Sequence, residues 1–184
     1  MILGFTGTLV SGKGTASKIL RDEYGMQILS FSDEVRKFIN EDLTNRGPVD
    51  REKMQFWGNE VRSQYRIDFW EERLFPQIEK RYSQVVDSFK YTDQIKNFMS
   101  KYDPFILIAF DADPELRFKW MRERNRPGDP ETWNEFLEAD RVDKEGYKEG
   151  IGQNTKGCME IADYKIYNNG SIDDLARKVR ELIF

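Results

Sequence analysis

The sequence predicts an α/β layer fold built on a parallel sheet. Short apolar segments alternate with segments of helical periodicity along the 184 residues. Each apolar segment ends in turn residues, the pattern expected of buried strands joined by crossover helices. The longest of them, FILIAFD at 105–111, has the length and branched side chains of a fully buried strand.

The predicted elements follow one another in a regular order. Strands are expected at 1–6, 26–31, 84–87, 105–111 and 164–167. Helices are expected at 16–24, 33–43, 50–82 with a break near 66–68, 92–102, 115–124, 131–147, 154–161 and from 171 to about 182. Ser32 and Ser171 are candidate N-caps, and Pro114 suits a helix start. Gly and Pro place loops at 44–49 and 126–130.

Composition excludes several kinds of chemistry. The chain has 29 Lys plus Arg and 33 Asp plus Glu, a net charge of −4, with no histidine and one cysteine, Cys158. Ser–His and Cys–His nucleophiles, imidazole metal sites and internal disulfides are therefore impossible. Without a signal peptide or a run of about 20 apolar residues, we expect a single cytoplasmic domain over 1–184, with no membrane or nucleic-acid partner.

The strongest functional signal is GTLVSGKGT, residues 7–15, between the first strand and the first helix. Its spacing is that of a phosphate-binding loop, in which backbone N–H groups and a helix N-terminus converge on phosphate oxygens. Gly7 and Gly12 allow the tight turn, and Lys13 supplies a mobile cation. The loop residues expected to bind are Gly7, Thr8, Ser11, Gly12, Lys13, Gly14 and Thr15. The alternative is a turn that binds nothing.

One residue of this loop departs from the usual phosphate-loop pattern. The residue after Lys13 is Gly14 rather than Ser or Thr, and Thr15 follows. This SGKGT form resembles the adenylate kinase group of nucleoside monophosphate kinases. The resemblance implies ATP and Mg²⁺ as cofactors, with magnesium held largely through water, and disfavours a GTPase-type switch.

The segment FSDEVRKF at 31–38 is similar to the acceptor-site segment of these kinases. The resemblance implies that Arg36 holds the acceptor's phosphate and that Asp33 orients an acceptor hydroxyl or a magnesium water. A surface Asp–Arg pair on an amphipathic helix is the alternative.

The stretch DREKMQFWGNEVRSQY at 50–65 resembles the acceptor-lid helix of small nucleotide-kinase-like and dephospho-CoA-kinase-like proteins. Arg62 is thereby implied in acceptor binding, although pairing with Glu60, Asp68 or Glu71 would equally suit it. Its aromatic residues could stack on a base or belong to the core.

The strand at 84–87 ends in Asp87, where a magnesium partner sits beside a phosphate loop. Thr15, Asp33 and Asp87 are thus the expected metal-site residues. The related group usually reads Asp-Gly-x-Arg here. Lys90 replaces that arginine and keeps its charge without its planar fork.

Five basic residues lie between 117 and 126, and among them Arg122-x-x-Asn-Arg126 resembles the start of a kinase lid. A solvated charged helix is the alternative. The resemblance implies that Arg122 and Arg126 close over the transferring phosphoryl group, with RPGDP as a hinge-like turn. Near the end, ADYKIYNNGSIDDL resembles the loop that borders adenine, which points to Asn169 and Gly170.

Together these segments resemble adenylate-kinase-like P-loop kinases over almost the whole chain. The resemblance implies a three-layer α/β/α P-loop NTPase fold with a five-stranded parallel sheet, an acceptor-binding region at about 32–82 and a short helical lid at about 122–148. We expect phosphoryl transfer from ATP to a nucleoside or deoxynucleoside monophosphate, with Lys13, Asp33, Arg122 and Arg126 as catalytic residues. The alternatives are a dephospho-CoA kinase and a nucleotide-binding regulatory protein. Either a monomer or a homodimer suits the sequence.

Overall fold

A computed structural model describes residues 1–41, 49–146 and 152–182. Its centre is a five-stranded parallel sheet with the order β2-β3-β1-β4-β5. The strands are β1 (Ile2–Gly7), β2 (Gln27–Ser30), β3 (Gln84–Asp87), β4 (Phe105–Asp111) and β5 (Tyr164–Tyr167). Because β1 occupies the centre, the loop that follows it opens at the middle of the sheet's carboxyl edge, where ligands of such sheets bind.

Nine helices join these strands in the described part of the chain. They are α1 (Lys13–Tyr24), α2 (Phe31–Glu41), α3 (Arg51–Gln64), α4 (Phe69–Leu74), α5 (Thr92–Lys101), α6 (Pro114–Arg124), α7 (Trp133–Glu145), α8 (Thr155–Glu160) and α9 (Ile172–Glu181), with a 3-10 turn at Phe75–Gln77. The five predicted strands and the alternation of strand and helix are confirmed.

The sheet buries side chains on both of its faces. Leu3 of β1 packs in one apolar cluster with Leu20 of α1 and Leu175 of α9. Ile2, the neighbouring residue of β1, belongs to the opposite cluster, which α2, α3 and α5 cover. Alternate residues of a strand point to opposite faces, so this division shows the predicted three-layer α/β/α arrangement.

Three local predictions need correction. The broken helix predicted to reach residue 82 ends earlier, because α4 stops at Leu74 and only the 3-10 turn at Phe75–Gln77 follows it. Ser32 is not an N-cap, because β2 ends at Ser30 and α2 begins at once with Phe31. The first helix begins at Lys13, three residues before the predicted start. By contrast, the Ser171 cap is confirmed, since its side chain accepts from the Asp174 N–H. Residues 44–48 of the predicted loop and 147–148 of the predicted lid lie outside the described residues.

The aromatic residues of the region after β2 are largely packed against one another. Trp70 is buried and donates its indole N–H to the Gly58 carbonyl at 3.0 Å. The Phe38 ring makes edge contacts with Phe69 and Trp70. These residues form part of the core, as does the buried Cys158. No helix in the ranges given above is both long and apolar enough to cross a membrane.

Candidate functional site

A wide cleft opens at the carboxyl edge of the sheet, with a volume of about 1780 Å³. Ligand pockets typically measure roughly 300–1000 Å³, so this cleft has room for two ligands side by side. The loops after β1 and β3 line it, together with the first turns of α2 and the segment between α6 and α7. The predicted site residues that line it are Ser11, Gly12, Lys13, Gly14, Thr15, Asp33, Arg36, Asp87, Lys90, Arg126 and Gly170.

The loop after β1 folds as a tight cradle around the Lys13 ammonium group. The Lys13 Nζ donates to the Gly7 carbonyl at 2.8 Å and to the Thr8 carbonyl at 2.7 Å. Gly7 has φ +138°, and a Cβ there would lie 2.1 Å from the Phe110 carbonyl oxygen. Only glycine allows β1 to turn so close to β4. Residues 9–12 of the loop and the first turn of α1 line the cleft, and a helix N-terminus placed in this way suits anions.

The pKa of Lys13 is shifted by its surroundings. Burial and the nearby Lys90 ammonium lower the pKa of Lys13 to about 8, while Asp87 and Asp143 oppose that fall. Burial raises the pKa of Asp87, against the opposing influence of Lys13. The cleft floor thus holds an ammonium and a carboxyl group whose pKa values have moved towards each other, as is common at functional sites.

Asp33 and Arg36 form a pair at the rim of the cleft. The Arg36 Nη1 donates to Asp33 Oδ1 at 2.8 Å, and both side chains are exposed. The pair is therefore the surface ion pair of the alternative interpretation, yet it also lines the cleft. Both groups can reach a ligand there.

Lys90 lies on the floor of the cleft and is held by Asp143 of α7. The Lys90 Nζ donates to the two Asp143 carboxylate oxygens at 2.6 and 2.7 Å. Thr155 also donates to Asp143, at 3.2 Å. Asp143 is buried, and its carboxylate neutralises the Lys90 ammonium group. Sequence reasoning did not identify Asp143.

Arg62 does not line the cleft. Its guanidinium donates to Asp93 at 2.5 Å, lies 3.7 Å from Glu71 and stacks 3.9 Å from the Tyr91 ring centroid. Glu71 is one of the three acidic partners that the sequence had left open, whereas the hydrogen-bonded partner, Asp93, was not among them. In this structure Arg62 joins α3, α4 and α5, and no acceptor contact follows from its position.

The lid arginines divide into two groups. Arg122 is exposed and lies outside the cleft lining, whereas Arg124 and Arg126 line the cleft.

Arg117 is fully buried and forms a two-pronged ion pair with Asp140, at 2.5 and 2.9 Å. It ties α6 to α7 and also donates to the carbonyl of Leu9, a residue of the phosphate loop.

Other predicted residues support the cleft from behind or border it. Thr8 is buried, and its hydroxyl donates to Asp111 at 2.7 Å. Asn169 accepts from the Asp113 N–H and lies outside the lining. Its neighbour Asn168 is buried and donates to the Ser11 carbonyl at 3.1 Å. The signal for Asn168 was a polar residue directly after a strand at the carboxyl edge.

The residues present suit a magnesium–nucleotide complex. Thr15, Asp33 and Asp87 line the same cleft as Lys13 and offer the oxygen donors that Mg²⁺ prefers. In the described residues no group of three or more acidic, His or Cys side chains forms a protein-only metal site. This fits a metal held jointly by a few protein oxygens, phosphates and water.

Comparisons with known proteins agree with this fold. A family model described as an AAA domain matches residues 6–136. A UPF0200 protein of Staphylothermus marinus is 32% identical over 178 residues, which cover 96% of this chain and 86% of that protein. A UPF0200 protein of Pyrococcus horikoshii is 28% identical over 190 residues, covering 100% of this chain and 96% of that one.

Solved kinase structures share the architecture. A shikimate kinase from Bacteroides thetaiotaomicron has a TM-score of 0.62 at 13% identity, covering 100% of this chain and 98% of that one. A shikimate kinase from Acinetobacter baumannii in complex with shikimate has a TM-score of 0.60 at 19% identity, covering 99% and 92%. These likenesses show the P-loop kinase fold without singling out the nucleoside monophosphate kinase group. The chain belongs to the AAA-domain family and is a member of the UPF0200 proteins.

Proposed function

We propose that this protein transfers the γ-phosphoryl group of ATP to a small acceptor, a nucleoside or deoxynucleoside monophosphate. The observation that carries the proposal is the position of Lys13, cradled by the loop after β1 and facing a cleft large enough for donor and acceptor. Phosphoryl transfer needs positioning and charge neutralisation rather than histidine chemistry, which suits a chain without histidine.

On the donor side, the loop amides of residues 11–15 and the Lys13 ammonium would hold the triphosphate. Thr15, Asp33 and Asp87 would hold Mg²⁺ through direct or water-mediated contacts. When bound, the metal neutralises charge on the phosphate oxygens. Arg126 and Arg122 are the lid arginines proposed to approach the transferring group, and Arg124 joins them because it lines the cleft.

On the acceptor side, Arg36 and Lys90 supply positive charge near Asp33. Further along the cleft, apolar side chains of Val35, Met54 and Trp70 lie with the amide groups of Gln55 and Gln94. Apolar walls with a few convergent hydrogen-bonding groups suit a planar heterocycle. This combination supports an acceptor that has both a base and a phosphate.

A second candidate is transfer to an acceptor hydroxyl, as in a dephospho-CoA kinase. The observation that favours it is that both cations on the acceptor side already have a carboxylate partner. Arg36 pairs with Asp33, and Lys90 pairs with Asp143. An acceptor phosphate must displace or share these partners, whereas a hydroxyl needs only a carboxylate to orient it. Asp33 would be that carboxylate. The shikimate kinases with this fold, and a gluconokinase from Sinorhizobium meliloti with a TM-score of 0.53, are named for hydroxyl-bearing substrates.

An acceptor screen tests the proposal. Purified protein is incubated with Mg-ATP and either nucleoside monophosphates or hydroxyl acceptors, namely dephospho-CoA, shikimate and gluconate, and products are separated by chromatography. Nucleoside diphosphates support the first candidate, and a phosphorylated hydroxyl supports the second. Tight ATP binding with transfer to no acceptor would refute the kinase proposal and favour a nucleotide-binding regulatory protein.

Two variants show whether any activity depends on this cleft. Lys13→Ala removes the ammonium group from the cradle and is expected to abolish turnover while the chain stays folded. Lys119→Met removes an exposed ammonium of α6 outside the cleft lining and is expected to leave turnover unchanged. Full activity in the Lys13 variant would show that the cradle is not the catalytic site.

A further inference from the structure

Three charged side chains meet where the lid loop touches the start of α3. We call Arg51, Arg124 and Asp129 the arginine latch. The Arg51 Nη2 donates to Asp129 Oδ1 at 3.1 Å, and Arg124 donates to both Asp129 oxygens at 2.7 Å. Arg124 ends α6, Asp129 lies in the following loop, and Arg51 begins α3. The latch therefore connects the two sides of the cleft.

The lid loop and α3 are in close contact at this point. Gly128 precedes Asp129, and a Cβ at Gly128 would lie 2.7 Å from the Asp50 Cβ. Asp50 accepts from the Lys53 N–H and so caps α3 at the same place. The Asp129 carboxylate is well shielded, at 8% exposure. The contact is thus a packed junction rather than a pair of long side chains meeting in solvent.

The charges of the latch do not balance. Two guanidinium groups share one carboxylate, which leaves a net charge of +1. The buried Nε of Arg51 has no hydrogen-bond partner. Burial acts to raise the pKa of Asp129, but hydrogen bonds from Arg124 and Arg51 outweigh it and lower that pKa. An ionised carboxylate is therefore fixed between two cations that have donor capacity to spare.

All three latch residues line the cleft that contains Lys13. Arg126 lines it as well and is exposed. Arginine forks bind carboxylates and phosphates with the same planar geometry, and a phosphate offers more oxygens and more charge than Asp129 does. A phosphate in this part of the cleft would therefore compete with Asp129 for the same N–H groups.

We propose that Arg51 and Arg124 form a phosphate-binding site which Asp129 occupies in the ligand-free protein as an internal competitor. The proposal rests on the proposed function for the identity of the ligand, since the phosphate belongs to a nucleotide in the cleft. Binding exchanges the carboxylate for a phosphate group, and the arginines of α3 and α6 then hold the ligand jointly. Arg51 is thus a binding residue, and Asp129 sets the affinity.

The test compares phosphate affinity in variants by calorimetry at fixed ionic strength. The probes are inorganic triphosphate, which represents the donor, and AMP, which represents a monophosphate acceptor. Asp129→Asn frees two arginine forks, and because hydrogen bonds between charged groups are strong, the dissociation constant of one probe should fall about tenfold. The probe that gains affinity identifies the source of the phosphate. Unchanged or weaker binding of both probes would overturn the proposal.

Two controls separate the latch from general electrostatics. Glu131→Gln removes an exposed carboxylate two residues further along the same loop and should leave both affinities within twofold. Adding Arg51→Gln to Asp129→Asn should cancel the gain. A gain that survives in the double variant would also overturn the proposal, because Arg51 would then play no part.

If Asp129→Asn does not fold, Arg51→Gln alone takes over the test, because it leaves the Arg124–Asp129 pair in place. Weaker binding of the same probe by at least about fivefold is then expected from the loss of one charged fork, and unchanged binding would contradict the proposal. These measurements require no turnover. The binding measurements can therefore refute the phosphate site of the latch even if the protein is an active kinase. Conversely, an acceptor screen that yields no product does not change the measured phosphate affinities.

Discussion

Replacing Lys13 with methionine is expected to remove nucleotide turnover and yet stabilise the fold at neutral pH. Methionine keeps most of the volume of the side chain but has no charge. In the wild-type protein the half-buried ammonium depends on the Gly7 and Thr8 carbonyls, and Lys90 lies nearby. The folded state therefore stabilises the Lys13 charge less well than water does.

The size of the effect follows from the pKa of Lys13. A decrease from 10.5 to about 8 costs the charged form about 3 kcal/mol in the folded state, at about 1.4 kcal/mol per pKa unit. The variant avoids this cost but loses two hydrogen bonds, worth about 1 kcal/mol each. We therefore expect the free energy of unfolding at pH 7 to rise by about 1 kcal/mol, the difference between these two estimates.

The dependence on pH has a definite sign. Between about pH 8 and 10.5 the unfolded lysine keeps a proton that the folded one has lost. Wild-type stability therefore gains a contribution as pH rises through this window, and that contribution is lost again as pH falls through 8. The Lys13→Met variant lacks it, so its advantage should shrink by about 2 kcal/mol between pH 7 and pH 10 and change sign.

Urea denaturation of both proteins at pH 7, 8, 9 and 10 measures these differences, with Lys119→Met as the exposed control. The difference in the free energy of unfolding between variant and wild type at each pH isolates the contribution of Lys13, because the other lysines and tyrosines that titrate in this range are common to both proteins. A variant less stable than wild type at pH 7, or a difference that stays constant with pH, would show that the cradle stabilises the ammonium fully.

Three further predictions concern stability and reactivity. Ser88 has φ +71°, so Ser88→Gly should raise the free energy of unfolding by about 1 kcal/mol, and a lower melting temperature would contradict this. Asp140→Asn removes the carboxylate that pairs with the buried Arg117 guanidinium and leaves Asp111, 3.9 Å away, as the remaining one, so urea denaturation should show a loss of about 3 kcal/mol, against little change for the exposed Glu138→Gln. Burial raises the pKa of Cys158 to about 12, so its thiol should react with a disulfide reagent at pH 8 only after unfolding; rapid labelling of the native protein would refute this.

The phosphate loop could be predicted because its determinants are local. The positions of Gly7, Gly12 and Lys13 within seven consecutive residues define both the turn and the cation, so no long-range contact is needed to recognise them. The strands could be predicted for a similar reason, since each is a short run with apolar residues, although the edge strands β2 and β5 bury only one residue each. The order in which they pair rests instead on contacts across the fold, and only the structure shows it.

The residues around the cleft were harder to assign, because a helical repeat places a side chain on a face without saying what that face meets. Arg62 suited either a phosphate or Glu71, and the packing of α3 against α4 and α5 decides for the acidic partners. Arg122 and Arg124 are only two residues apart, yet only Arg124 lines the cleft. Asp143 lies 53 residues from Lys90 along the chain, and no local pattern connects them.

The central position of β1 also has a consequence for how the protein forms during synthesis. The strand that carries the phosphate loop is translated before its sheet partners β3 and β4, which begin at residues 84 and 105. The Asn168 side chain that braces the Ser11 carbonyl is made later still, 157 residues after it. Pairings over such distances form slowly. The first part of the nucleotide site to be translated is therefore among the last to be completed, and a nascent chain is expected to bind nucleotide only once β5 has joined the sheet.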